Sequence, residues 1–66
     1  MPAGFRSCMK ESKSFYSERW DEMRTVQLWR DGEVRIVGDF GRELGKSEMS
    51  FEETCQKYIS MGYEEV

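Results

Sequence analysis

Alternating apolar and polar residues on both sides of an Asp-Gly pair are the clearest structural signal in this chain. Residues 25–29 and 34–37 are rich in β-branched and aromatic side chains, and Asp31-Gly32 between them is typical of a two-residue turn that needs positive φ. The pattern therefore predicts a β-hairpin. Counting outward from the turn predicts the following cross-strand pairs: Arg30 with Glu33, Trp29 with Val34, Leu28 with Arg35, Gln27 with Ile36, Val26 with Val37, and Arg24 with Asp39.

This register gives the hairpin two different faces. Strand alternation collects one apolar set that is predicted to be the core: Met23, Trp29, Val34, Ile36 and Phe40. On the other face, Val26, Leu28 and Val37 lie among the ion pairs that Arg30 makes with Glu33 and Arg24 makes with Asp39. This second face is predicted to be either solvated or half covered by the N-terminal segment. If residues 14–23 do not shield the three apolar side chains, they form a patch that another chain could cover.

A short helix is predicted near the C-terminus. Ser50-Phe51-Glu52-Glu53 matches a capping box, in which the serine and the glutamate each bond a backbone amide of the other. Gly62 is placed to end the helix, and residues 63–66 are long enough for a short final strand. One stripe of the helix is apolar: Phe51, Cys55, Tyr58 and Ile59.

The remaining segments are less regular. Residues 14–23 fit a helix through Tyr16, Trp20 and Met23, and they fit a strand through Tyr16, Glu18 and Trp20; strand is favoured. Residues 1–13, which hold the single proline, are predicted to form a flexible arm. The whole pattern predicts one α+β domain over residues 14–66, with a small antiparallel sheet of three to four strands and one helix packed on a face.

Charge is unevenly distributed along the chain. Its 66 residues include 10 Lys and Arg against 13 Asp and Glu, a net charge of −3, and the acidic excess falls in residues 50–66. Proteins that bind nucleic acid tightly on their own are normally basic, so nucleic acid is a disfavoured partner. No apolar run is long enough for a signal peptide or a membrane span, which predicts a cytoplasmic protein without membrane contact.

The residue types needed for catalysis are scarce. Histidine is absent, which removes the commonest general base and a common metal ligand. Cys55 lies on the apolar helix stripe, where a thiol usually packs as a small hydrophobe, and Cys8 lies in the arm. Two separate thiols are favoured over a disulfide. We therefore expect a non-catalytic protein with no cofactor and no bound metal.

Five charged residues are candidates for contact with a partner. Arg42 lies in the glycine-rich loop 38–45, interpreted as a flexible connector rather than a phosphate-binding loop, and its guanidinium can bind phosphate or carboxylate in a bidentate manner. Arg35 and Lys46 are its candidate basic neighbours. Glu64 and Glu65 have no role in capping the helix and are candidates for an acidic recognition edge.

Several segments together resemble the WGR domain, a family found in poly(ADP-ribose) polymerases and in small bacterial proteins. The resemblance implies a sheet with one packed helix and a nucleic-acid contact centred on Arg42. Phe40 stands where the family has its signature tryptophan, and Glu43-Leu44 displaces the second glycine of the motif, so only Gly41 and Arg42 carry over directly. The resemblance spans residues 14–66 and rests on these segments: Ser14-Phe15-Tyr16, the hairpin, Phe40-Gly41-Arg42, Gly45, Ser50-Phe51-Glu52-Glu53 and Gly62-Tyr63-Glu64-Glu65-Val66.

The sequence as a whole predicts a small intracellular binding module that acts through protein–protein contact. Its partner is another protein or a second copy of the chain, because a core this small is often completed by association. The alternative is a WGR-like module that contacts nucleic acid, with Arg42 at the centre and Arg35 and Lys46 beside it.

Overall fold

The computed structural model describes residues 9–66, which form a five-stranded antiparallel sheet with one helix on a face. The order across the sheet is β4-β3-β2-β1-β5, so the helix carries the chain from one edge to the other. The α+β class is confirmed, but the sheet has five strands rather than the three to four predicted. The elements are β1 (Met9–Ser17), β2 (Glu22–Trp29), β3 (Val34–Val37), β4 (Glu43–Ser47), α1 (Phe51–Ser60) and β5 (Glu64–Glu65).

β1 begins inside the segment predicted to be a flexible arm. Residues 9–13 belong to this strand, with Glu11 opposite Leu28 and Lys13 opposite Val26. β2 is long enough to pair with them, and its backbone groups are satisfied by doing so. The rest of the predicted arm, residues 1–8, lies outside the described part. Residues 14–23 hold the end of β1, a turn and the start of β2, so the favoured strand is only part of that segment.

β4 begins inside the loop 38–45 that was predicted to be a flexible connector, so that residues 43–45 are strand while residues 38–42 form a turn. The chain turns after β3, where the Gly38 N–H donates to the Arg42 carbonyl at 2.7 Å, and then runs back with Lys46 opposite Arg35. Gly45 adopts φ +150, a conformation that glycine reaches easily and other residues rarely do. An edge strand can contain such a glycine. The number of glycines in this segment was therefore not sufficient to distinguish a loop from a strand.

The hairpin between β2 and β3 closes through three residues, Arg30 to Gly32, rather than two. The Trp29 N–H donates to the Glu33 carbonyl at 2.9 Å, and the Gly32 N–H donates to the Trp29 carbonyl at 2.9 Å. Within the loop only Gly32, at φ +89, has left-handed backbone, which fits a type I turn followed by a glycine bulge. An Asp-Gly pair suits both kinds of loop, and the predicted register is wrong by one residue.

This shift changes which side chains share a face, because alternation along a strand has a period of two. Val26 lies opposite Ile36 and Leu28 lies opposite Val34, and these four side chains belong to the face that α1 covers. Trp29, predicted to be core, lies on the opposite face with Met23. The predicted ion pairs are also replaced by others: Arg24 with Glu22, Arg35 with Glu33, and Lys46 with Glu33.

α1 begins and ends where the sequence predicts. The Ser50 hydroxyl accepts from the Glu53 N–H at 3.2 Å, and the Glu53 carboxylate accepts from the Ser50 N–H at 3.3 Å. At the other end, Gly62 adopts φ +100. The buried stripe is rotated from the predicted one, because Thr54 is buried while Ile59 is 45% exposed. The Thr54 hydroxyl can lie inside because it donates to the Ser50 carbonyl at 2.8 Å.

The core lies between α1 and the sheet. The ring of Tyr58 is 6.1 Å from that of Phe15 and 5.1 Å from that of Tyr63, so aromatic contacts join the helix to both β1 and the chain before β5. Burial raises the pKa of the Cys55 thiol, which lowers its reactivity. Cys8 lies outside the described residues. The buried apolar set is the following: Phe15, Val26, Val34, Cys55, Tyr58 and Tyr63.

Candidate functional site

One face of the sheet is not covered by α1, and we call it the open face. Side chains along β2 alternate between the two faces of the sheet. Thr25 and Gln27, which flank the buried Val26, therefore point away from the helix. Pairing between strands then places further side chains beside them. Most of these residues are half-buried by one another. The open face includes Ser12, Ser14, Tyr16, Met23, Thr25, Gln27, Trp29, Glu33, Arg35, Val37, Lys46 and, opposite Tyr16, Glu64.

A stacked tryptophan and arginine stand at one end of the open face. The Arg35 guanidinium carbon lies 4.3 Å from the centre of the Trp29 ring, close enough for a cation–π contact. The Trp29 indole N–H donates to the Gln27 side-chain oxygen at 3.1 Å. Arg35 Nε donates to the Glu33 carboxylate at 2.8 Å. We call these residues and Lys46 the Trp29 cluster; hydrogen bonds fix its aromatic centre in place.

Glu33 pairs with both cations of the Trp29 cluster and lowers their combined charge from +2 to +1. Its carboxylate lies 2.7 Å from Lys46 Nζ and 2.8 Å from Arg35 Nη2. Hydrogen bonds from Lys46 and from Arg35 hold the pKa of Glu33 below its usual value. Phosphate groups are attracted by unpaired cations, so this pairing weakens the attraction of the cluster for a polyanion, although one net positive charge remains.

The other end of the open face is bounded by the turn between β3 and β4. Asp39–Gly41 form one turn of 3-10 helix, in which Phe40 has φ 61 and ψ 24. Its side chain is fully exposed, at 106%, although the sequence pattern predicts it to be core. A left-handed phenylalanine is uncommon and costs about 1 kcal/mol or more. The loop nevertheless has a defined shape, because the Asp39 carboxylate accepts from the Met23 N–H at 2.8 Å.

A shallow groove lies between this loop and the turn that joins β1 to β2. Its lining is mostly apolar or aromatic surface with two aspartates at the rim. The Tyr16 hydroxyl donates to Asp21 at 2.7 Å. That hydrogen bond, with the nearby charges of Asp21, Glu18 and Asp39, raises the pKa of Tyr16. We call this feature the Phe40 groove, and its residues are Tyr16, Asp21, Glu22, Met23, Thr25, Gly38, Asp39 and Phe40.

The five predicted site residues fall in three places. Arg35 and Lys46 lie opposite each other on β3 and β4. Arg42 is exposed at the end of the 3-10 turn and lines a neighbouring groove with Arg24 and Leu44, which shares Gly38, Asp39 and Phe40 with the Phe40 groove. Glu64 and Glu65 lie on β5 at the far edge, opposite Tyr16 and Phe15 respectively.

Sequence reasoning missed Trp29 and Phe40 as surface residues because aromatic side chains in a strand pattern are usually core. Trp29 becomes a surface residue once the hairpin loop has three residues, which the Asp-Gly pair also permits. For Phe40, the available signal is its position between Asp39 and Gly41, a composition typical of tight turns with left-handed backbone.

Two further observations complete the description. In residues 9–66, no three His, Cys, Asp or Glu side chains come together in a way that could hold a metal ion. No helix in the same range combines the length and the apolar character that crossing a bilayer requires.

Comparison of the chain with protein-family models, with curated proteins and with solved structures finds no match. The resemblance to the WGR domain therefore stays a hypothesis that rests on the sequence motifs alone.

Proposed function

We propose that this chain is a non-catalytic intracellular binding module that docks a partner protein on its open face, with the Trp29 cluster as the central contact. The observation that carries the proposal is the stack of Arg35 on Trp29, 4.3 Å apart. Tryptophan and arginine are among the residues that most often dominate protein interfaces. Because hydrogen bonds already fix both side chains, little side-chain entropy would be lost on binding.

The two sheet edges offer less to a partner than the face does. β4 carries an irregularity opposite Ile36 and Val37 and contains Gly45. β5 has only two residues, both glutamates, and pairs only with Phe15 and Tyr16. Residues 9–13 of β1, three of which are charged, form the rest of that edge. Bulges, short strands and charged side chains all oppose the addition of another strand. Docking on the open face therefore fits the chain better than extension of its sheet.

A second copy of the chain is one possible partner. The expected patch of Val26, Leu28 and Val37 is not a basis for it, because Val26 is 0% exposed and Leu28 packs against the core. Only Val37 belongs to the open face, so a homodimer consistent with the proposal would form through the Trp29 cluster and its neighbours rather than through that patch. Light scattering over a dilution series separates a homodimer from a complex with another protein.

The second candidate function is a WGR-like contact with nucleic acid through Arg42. The observation in its favour is the exposed position of Arg42 next to Gly41, apart from the carboxylate of Glu33. If this function is correct, duplex or single-stranded DNA binds in a salt-sensitive manner. Arg42→Ala then loses on the order of 1–3 kcal/mol of binding free energy. Fluorescence anisotropy at two salt concentrations measures both effects.

Affinity capture from the native host tests the first proposal. The bait is the wild-type chain beside Trp29→Ala and the matched control Trp20→Ala, which removes another arginine-stacked tryptophan located outside the open face. We expect Trp29→Ala to lose the partner by about tenfold or more, while Trp20→Ala keeps it. Retention by both variants, or capture that nuclease abolishes, contradicts the proposal. Circular dichroism confirms that the variants are folded.

A further inference from the structure

The Phe40 groove combines aromatic walls with a negative rim. Tyr16 and Phe40 stand at its sides, and Met23 contributes apolar surface between them. Among the described residues that line it, none is a lysine or an arginine. An aromatic and acidic concavity of this kind suits a cationic side chain on an apolar segment, because ring faces and carboxylates both attract cations.

Each of the two rim aspartates uses one carboxylate oxygen in a hydrogen bond, Asp21 to a side chain and Asp39 to the backbone. Asp21 is bonded through Oδ1 to the Tyr16 hydroxyl, and Asp39 is bonded through Oδ1 to the Met23 N–H. Within the described chain, Oδ2 of each makes no hydrogen bond. The same carboxylates therefore fix the shape of the groove and present negative charge to a ligand.

A phenylalanine at position 40 does not favour the folded state, because its ring buries no surface there and its backbone is left-handed. Glycine or asparagine would suit the position better in the isolated chain. The adjacent Asp39 carboxylate accepts from the Met23 N–H at 2.8 Å and so ties the loop to β2. A ring held out in this way gives a partner an apolar anchor next to a negative rim.

We propose that the Phe40 groove binds a basic segment of the partner protein, one that carries lysine or arginine next to apolar residues. Charge complementarity selects this occupant, because carboxylates line the groove while the Trp29 cluster on the same face, with two cations on one carboxylate, keeps a net positive charge and would not attract a basic segment. An acidic segment or a nucleic acid would be repelled there. This inference rests on the proposed function and specifies the chemistry of the partner.

A peptide titration followed by amide chemical shifts tests the inference. The probe is the acetylated and amidated hexapeptide Gly-Leu-Arg-Leu-Lys-Gly, beside a matched peptide in which glutamine replaces arginine and lysine. We expect shift changes concentrated at the amides of Tyr16, Met23 and residues 38–41. The glutamine peptide should bind about tenfold more weakly or not at all. Equal affinity for the two peptides, or shifts centred elsewhere, overturns the inference.

Three variants that preserve the backbone make the test specific. Asp39→Asn removes the charge but keeps an oxygen that can accept from the Met23 N–H, and Phe40→Asn removes the ring while suiting the left-handed backbone. The matched control is Asp31→Asn, because Asp31 is another exposed aspartate whose Oδ1 accepts a backbone N–H, that of Glu33 at 2.9 Å. We expect the first two to weaken binding of the basic peptide several-fold and the control to leave it unchanged.

The two proposals fail in different ways. If Trp29→Ala loses the captured partner while Asp39→Asn and Phe40→Asn retain it fully, the open face is still the binding surface and the inference about the groove is wrong. If Trp29→Ala retains the partner, the proposed function is wrong whatever the basic peptide does. A groove that binds the basic peptide only in the wild type and the Asp31→Asn control supports the inference.

Discussion

The two faces of this sheet use similar residues under opposite conditions. The face beneath α1 holds Val26 and Phe15, both at 0% exposure. The open face holds Val37 and Trp29, which stay half-buried among polar neighbours. Val26 on β2 and Val37 on β3 thus lie on opposite faces of the sheet. Their burial differs because α1 covers only the face that holds Val26. Because the buried core of the described residues lies on the covered face, we expect that face to supply most of the stability, and the proposed partner contact uses the other face.

Replacement of one valine on each face by alanine is expected to give the largest difference in stability between the two faces. We expect Val26→Ala to lower the free energy of unfolding by about 2 kcal/mol, because two methyl groups leave a tightly packed site. Val37→Ala should cost less than about 1 kcal/mol, since water already reaches that side chain. Chemical denaturation of both variants measures the difference. Equal losses would mean that the two valines share one environment.

Gly32 tests the loop that determines which residues lie on each face. A Cβ built there meets nothing within 4 Å, so the only obstacle to a side chain is φ +89. We expect Gly32→Val to destabilise the fold by more than about 1 kcal/mol, and Gly32→Asn to cost less because asparagine tolerates left-handed backbone. Thermal unfolding gives the comparison. Indistinguishable variants would show that Gly32 is not held in this conformation.

Ionisation of Tyr63 probes the helix-covered side of the molecule. Burial, with the hydrogen bond that its hydroxyl donates to Glu22 at 2.6 Å, raises the pKa of Tyr63 from 10.0 to about 12. Since the folded state holds this proton more tightly, the associated stability is present below pH 10.0 and is lost as the pH rises toward about 12. Denaturation across that range should show a shallower decline for Tyr63→Phe. Parallel declines would remove Tyr63 from the explanation.

Phe40 is expected to give the smallest change, in the opposite direction. Phe40→Asn should raise the stability by about 0.5 kcal/mol, because the exposed ring contributes little and asparagine suits the left-handed backbone better. Differential scanning calorimetry detects such a gain. A clear loss of stability would show that the ring contributes to the fold and is not held out for a partner.

Local signals in the sequence identified the parts of the fold that depend on local chemistry. Ser50 with Glu53 predicted the start of α1, and Gly62 predicted its end, since capping is decided within a few residues. The register of the hairpin was beyond local reasoning, because Asp31-Gly32 fits two loop lengths of similar energy. β4 was missed for a related reason, because pairing with β3 overrides the loop preference of Gly45.

The candidate site was predictable only for its charges. Arg35 and Lys46 were identified as possible contacts, and the structure brings them together around Glu33. Trp29 and Phe40 were assigned to the core because a large apolar side chain in an alternating pattern is usually buried. Their exposure depends on a one-residue shift and on one left-handed residue, and neither follows from composition.

Cross-strand NMR contacts between β2 and β3 test most directly whether the two faces are divided as described. The expected result is close backbone contact between Val26 and Ile36 and between Leu28 and Val34. This pairing places the four side chains together under α1 and leaves Trp29 on the open face. Contacts between Val26 and Val37 and between Trp29 and Val34 would contradict the account, because they would move Trp29 into the core and eliminate the proposed binding surface.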